Sequence, residues 1–131
     1  MMNNRDNLIS IIVPCYNEEH AIPYFYKAIT EHSTLMKNEF GVDFEYLFIN
    51  DGSVDNTLTV LKEYANKDNR VKYISFSRNF GKESAMYAGL KNASGNYIAI
   101  MDADLQDPPY LLTEMYKTII ESDYDCVATR R

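Results

Sequence analysis

The sequence predicts an α/β domain in which helices flank a mostly parallel sheet. Three observations carry that reading. Short apolar runs alternate with stretches of about ten to fifteen residues of helical periodicity, the mark of βαβ units. The first run, residues 9–13, is continuously apolar, as in a strand covered on both faces. The polar, non-repetitive residues gather at the strand ends: 16–18, 51–55, 78–82, 102–107 and Arg130. In parallel sheets a ligand lies beyond those carboxyl ends.

The elements follow in order. Residues 9–13 form a first strand that ends at Pro14. Ile22, Phe25, Tyr26, Ile29 and Met36 recur at mostly helical spacing, and Gly41 stops that helix. Residues 44–49 form a second strand running into Asn50-Asp51-Gly52-Ser53. Asp55 is placed to cap a helix whose apolar side carries Leu58, Leu61 and Ala65. A third strand, 71–76, leads through the loop 77–82 to a helix over 83–93 that ends near Gly95. A fourth strand, 97–101, enters Asp102-Ala103-Asp104-Leu105-Gln106-Asp107-Pro108-Pro109. A helix over 110–121 turns Leu111, Leu112, Met115 and Ile119 inward, and a short strand at 126–129 closes the sequence. No repeat, low-complexity run or linker interrupts residues 1–131, which read as one unit.

Length and composition narrow the classes. A chain of 131 residues suits one domain and buries roughly two thirds of its unfolded surface, so folding needs neither disulfide nor structural metal. Thirteen Lys plus Arg against nineteen Asp plus Glu give a formal charge of −6, which argues against a nucleic-acid binder. One anionic ligand held through a metal ion stays compatible. No run approaches the ~18 apolar residues of a membrane span, and M-M-N-N-R-D-N lacks the apolar core of a signal peptide; the expectation is a cytoplasmic chain. Cys15 and Cys126 make neither a metal spacing nor a disulfide framework and read as small buried residues.

The strand ends carry the chemistry. Asp102 and Asp104, at i and i+2 as the chain leaves a strand, point to one side and repel unless a cation sits with them. Hard divalent ions favour such oxygen ligands, and Gln106 continues the spacing with a carbonyl oxygen. Asp107 reads as a helix cap, with Pro108 and Pro109 in the first turn. Asp51 in its tight turn is placed to accept a hydrogen bond from a base N–H; turn chemistry alone is the alternative. Tyr16 could face a nucleobase and Glu18 a base or ribose hydroxyl. Equally, Asn17 could cap a helix whose dipole Glu18 and Glu19 complement. Arg78 and Lys82 are either diphosphate partners or solvated loop cations. His20 and His32 have no ligand-like companions and read as surface residues. No G-x-G-x-x-G follows the first strand, and neither a P-loop nor a G-x-S-x-G elbow occurs.

Together, I-I-V-P-C-Y-N-E-E, F-I-N-D-G-S-V-D-N-T, S-R-N-F-G-K-E and M-D-A-D-L-Q-D-P-P resemble the family 2 glycosyltransferases. The nearest type is the polyprenyl-phosphate sugar transferases, those of dolichyl-phosphate mannose and bactoprenol glucose. The resemblance runs from about Leu8 to Arg130. It implies a GT-A fold and inverting transfer of a hexose from a UDP- or GDP-sugar, with Mn²⁺ or Mg²⁺, to a polyprenyl phosphate or a glycan hydroxyl. On the family pattern Pro14, Tyr16 and Glu18 line the nucleoside site and Asp51 contacts the base. Asp102-Ala103-Asp104 stands at the D-x-D motif, with Asp104 and Gln106 at the metal and diphosphate. Lys82 falls beside the donor, and Arg130 faces phosphate in a strand where Ala128 replaces the usual Gly. Asp104 and Arg130 are thereby the expected catalytic residues.

Because the sequence stops one residue past Arg130, the expectation is a donor-binding portion of a longer catalytic domain. The acceptor side, any catalytic base and any membrane-associated segment would lie beyond it. Two other classes compete. A sugar nucleotidyltransferase would show a Gly-rich basic loop after the first strand, which residues 14–18 are not. A non-catalytic receiver-like or flavodoxin-like domain would bind Mg²⁺ without nucleotide.

Overall fold

The computed structural model describes residues 7–121. Four strands, β1 (Leu8–Cys15), β2 (Asp43–Asn50), β3 (Val71–Ser75) and β4 (Tyr97–Ile100), alternate with α1 (Ile22–Phe40), α2 (Thr57–Lys67), α3 (Lys82–Asn92) and α4 (Tyr110–Glu121). The sheet order is β3-β2-β1-β4, and every pairing is parallel. The expected strand at 126–129, with Cys126 and Arg130, lies outside the described residues.

Central β1 explains the continuous apolar run, since helices cover both of its faces. Ile9, Ile11, Val13 and Cys15 point to one face, where they join Phe44, Tyr46 and Phe48 of β2 under α1, α2 and α4. Ile12 points to the other face and packs with Leu47, Ile49 and Ala85 of α3. The strand does not end at Pro14 but continues to Cys15, whose carbonyl accepts from the Asp51 N–H. Proline is tolerated there because β4 is paired only as far as Ile12, so no ladder bond needs its missing N–H on that side.

Further details depart from the sequence expectation. The inward face of α4 is Leu112 and Tyr116 with Ile119, while Leu111 and Met115 are only half-buried. Tyr116 decides the rotation by packing edge-on against Phe40 and Tyr97. Gly95 is not a left-handed helix stop: a Cβ there would lie 2.6 Å from Ser10 Oγ, so the residue permits close approach to β1. Gly41, by contrast, caps α1 at φ 72 as expected. His32 is no free surface residue, since its Nε2 lies 2.7 Å from Thr113 Oγ1 and ties α1 to α4.

A buried polar pin lies at the amino-terminal end of the sheet. Ser10 Oγ donates to Glu45 Oε2 at 2.5 Å, Ser94 N–H to the same oxygen at 2.6 Å, and Lys72 Nζ to Oε1 at 3.0 Å. Burial alone would raise the Glu45 pKa, but these three donors outweigh it and hold the carboxyl below its ordinary value.

Candidate functional site

At the carboxyl ends of the strands lies an open cavity of about 290 Å³. Its lining is Pro14, Cys15, Tyr16, Glu18, Asp51, Lys82, Asp102, Ala103, Asp104 and Gln106. Pro14, Tyr16, Glu18, Asp51, Lys82, Asp102, Ala103, Asp104 and Gln106, all named from sequence, are thereby brought to one place. Cys15 is the member that sequence reasoning missed as a site residue. Its position between Pro14 and Tyr16 was the available signal, and burial followed by the charges of Glu18 and Asp55 pushes its thiol far above the ordinary pKa. Arg78 does not join the lining; its guanidinium lies over the Phe80 ring, 4.6 Å from the centroid.

The β1–α1 loop is placed by the β2–α2 loop. Asn17 sits at φ 54, donates its N–H to Ser53 Oγ (2.9 Å) and accepts from Val54 N–H (2.9 Å). Glu18 N–H donates to Thr57 Oγ1 at 2.9 Å, and Glu19 N–H to Asp55 Oδ2 at 3.3 Å. Asn17 is thus a bracket between loops and not the cap of α1, whose N-cap position is Ala21. Asp55 does accept from the first turn of α2, from Thr57 N–H at 3.0 Å, although Asn56 holds the N-cap position. With its backbone fixed, Glu18 presents its carboxyl to the cavity and Tyr16 remains half in solvent.

Also on the lining, Lys82 Nζ forms an ion pair with Asp102 Oδ1 at 2.7 Å. Ala103 is buried in the core and anchors the segment, leaving Asp102 and Asp104 on the cavity lining to either side. Leu105 adopts φ 57 and packs on the same core, turning the chain so that Gln106 also lines the cavity. Gln106 Nε2 donates to Asp104 Oδ2 at 2.8 Å. The carboxyl of Glu18 titrates above its ordinary value, first through burial and then through the negative charges of Asp104, Asp102 and Asp55. That mutual repulsion is what a bound cation would relieve. The described residues contain no cluster of three or more His, Cys, Asp or Glu placed to hold a metal by themselves. Such a donor set fits an ion that completes its shell with ligand phosphates and water, as Mg²⁺ and Mn²⁺ do.

Asp51 is buried, 4% exposed, and its carboxylate is already engaged. Oδ1 accepts from Phe80 N–H at 2.7 Å, and Oδ2 from Gly81 N–H at 3.0 Å and Asn79 Nδ2 at 3.2 Å. Gly52 lets the two loops touch: a Cβ at its φ of +66 would lie 2.1 Å from the Arg78 carbonyl carbon.

The sequence profile of glycosyl transferase family 2 matches residues 10–131. The chain belongs to that family. It is 47% identical over 127 residues to CsbB of Bacillus subtilis, which is named as a glycosyltransferase; the match takes in 97% of this chain and 37% of CsbB. It is 49% identical over 100 residues to the bactoprenol glucosyl transferase of Shigella phage SfV, across 76% of this chain and 31% of that protein. Among solved structures it resembles residues 1–349 of Staphylococcus aureus TarS in complex with UDP. That match has a TM-score of 0.66 and 29% identity, and covers 86% of this chain and 32% of the 1–349 chain. The chain thus spans about a third of the length of the relatives it matches. The family 2 membership and the structural match establish the GT-A architecture that the resemblance of the sequence motifs implies.

Proposed function

We propose that the cavity is the donor site of a glycosyltransferase that uses a nucleoside diphosphate sugar with a divalent metal. One observation carries the reading: in a family 2 chain, the strand ends bring Tyr16 and Glu18 together with Lys82, Asp102, Asp104 and Gln106 around one cavity. Pro14, Tyr16 and Glu18 take the nucleoside end, with Asp51 in the wall behind. Lys82 and the Asp102-Ala103-Asp104 segment take the diphosphate end. Asp104 and Gln106 would hold the metal, which as a Lewis acid stabilises negative charge developing on the departing diphosphate. Lys82 adds positive charge on the same side, and its pairing with Asp102 fixes where that charge sits.

The reaction we assign is an inverting displacement. An acceptor oxygen forms a bond to the anomeric carbon as the bond to the diphosphate oxygen breaks, and the nucleoside diphosphate leaves with the electron pair. The name of the SfV relative supports a polyprenyl phosphate acceptor, and the transferred group is then a hexose. Such an acceptor is already anionic and needs no general base. Arg130 is assigned to the phosphates on family pattern alone, since it lies outside the described residues. A lipid-borne acceptor and a soluble donor place the reaction at a membrane surface; within residues 7–121 no helix is long and apolar enough to cross one.

The test is calorimetric titration of the 131-residue chain with UDP and GDP, in Mn²⁺ and in EDTA. Affinity for one of them should fall at least tenfold in EDTA, about 1.4 kcal/mol. Equal affinity with and without metal refutes the reading.

A further inference from the structure

We propose that Thr57 is a positioning residue for Glu18: its hydroxyl ties down the β1–α1 loop so that the Glu18 carboxyl stays at the nucleoside end of the cavity. The inference rests on the donor-site reading above and deepens it.

Thr57 is the first residue of α2 and is fully buried. A hydroxyl has one proton to give and two lone pairs to receive. The Thr57 proton goes to Asp55 Oδ1, 2.5 Å away, which leaves a lone pair for the Glu18 N–H at 2.9 Å. The same Asp55 carboxylate accepts from Thr57 N–H at 3.0 Å and, through Oδ2, from Glu19 N–H at 3.3 Å. Bonds linked in this way polarise one another. The Glu18 carbonyl is engaged too, by Ala21 N–H at 3.0 Å and Ile22 N–H at 3.1 Å, where α1 begins. Both main-chain groups of Glu18 are thus tied, one to the start of each helix.

The ties matter because the Glu18 carboxyl lines the cavity against its own electrostatic preference. Burial first, and then the negative charges of Asp104, Asp102 and Asp55, oppose its ionised form. Turning the side chain out into water would relieve both costs, and the fixed main chain opposes that turn. Thr57 itself is not part of the cavity lining, so it reaches a ligand only through Glu18.

The experiment separates this role from a general loss of structure. Calorimetry on the full 131-residue chain compares wild type, Thr57→Val, Thr57→Ser, Glu18→Gln and the double variant Thr57→Val/Glu18→Gln. Each is titrated with UDP and GDP in Mn²⁺, and with Mn²⁺-pyrophosphate, which has no nucleoside. Valine keeps the shape of threonine without the hydroxyl; serine keeps the hydroxyl. Thr57→Val should weaken the preferred nucleoside diphosphate at least fivefold without weakening Mn²⁺-pyrophosphate, and Thr57→Ser should restore the affinity. In the Glu18→Gln background, Thr57→Val should cost nothing further. An equal loss for Mn²⁺-pyrophosphate, additive losses in the double variant, or no loss in Thr57→Val or in Glu18→Gln would each overturn the proposal. Should Thr57→Val fail to fold by circular dichroism, Asp55→Asn weakens the acceptor of the hydroxyl proton and leaves Thr57 in place. It should show the same selective loss at smaller size, and an unselective or absent effect overturns the proposal. A wild-type chain that binds neither nucleoside diphosphate nor Mn²⁺-pyrophosphate would instead refute the donor-site reading beneath it.

Discussion

Replacing Gly89 with alanine should destabilise the protein, yet stabilise a variant that already lacks the Ile12 side chain. Gly89 lies within α3 against β1, and a Cβ there would meet Ile12 Cγ2 at 2.4 Å and Cδ1 and Cγ1 at 3.1 Å. Ordinary contact begins near 3.4 Å, so α3 must lift or Ile12 must move by about 1 Å. Ile12 is fully buried among Leu47, Ile49 and Ala85 and has nowhere to go. Alanine gains roughly 1 kcal/mol in helix propensity, while overpacking a closed core costs about 1–3 kcal/mol. The net effect in the wild type is a loss on the order of 1 kcal/mol. Ile12→Ala alone should cost about 2–5 kcal/mol, because it opens a cavity beneath α3. In that background the three clashing atoms are gone and the new methyl fills part of the space. Gly89→Ala should then stabilise by about 1 kcal/mol, and the cycle should show roughly 1–3 kcal/mol of coupling. Urea unfolding of the four proteins measures this. The same sign for Gly89→Ala in both backgrounds would refute the reasoning about α3 packing. Because Lys82 opens α3, Gly89→Ala in the wild type should also weaken Mn²⁺-UDP binding.

Asp104→Asn should reproduce the effect of EDTA on nucleoside diphosphate affinity, at least tenfold, with an unchanged melting temperature; unchanged affinity in calorimetry would remove Asp104 from the metal. Tyr46→Phe should cost about 1 kcal/mol in urea unfolding, since the buried hydroxyl donates to Ser33 Oγ at 2.7 Å while Ser33 remains satisfied through its own bond to the Ile29 carbonyl. Arg70 hydrogen-bonds the Asp68 carboxyl and lowers its pKa from 3.8 to about 2. A carboxyl depressed in the folded state adds stability that is present above 3.8 and lost as pH falls through about 2. Asp68→Asn should therefore destabilise the protein at pH 7 and become nearly neutral near pH 2, as followed by unfolding at each pH.

Which parts were legible in the sequence depends on how local the deciding contact is. The apolar run of β1 and the spacing of Ile22, Phe25, Ile29 and Met36 are local patterns, and the sheet and α1 follow them. Helix α4 was misread because Leu111-Leu112 and Met115-Tyr116 put apolar residues on two adjacent faces. Periodicity cannot choose between those faces; the aromatic partners Phe40 and Tyr97, remote in sequence, do. Gly95 carries the same lesson, since its reason for being glycine is Ser10 on another strand. The site was legible as a set of residues because strand ends converge in a parallel sheet. The division of labour within it was not. Ser53, Asp55 and Thr57 grip the loop at 17–19 across 36 to 39 residues of sequence, and no local pattern marks that role.

The contact at Gly52 also fixes how the cavity wall can open. Backbone against backbone, with no side chain between, the turn at 51–53 and the stretch at 78–81 cannot part by rotamer change; they separate only as a unit. Their amides should behave in hydrogen exchange as one cooperative group, with Phe80 and Gly81 slowed well beyond what surface loops usually show. A loop pair bound in this way has already surrendered its conformational entropy before a ligand arrives. Ordering this wall then adds little to the entropic cost of binding.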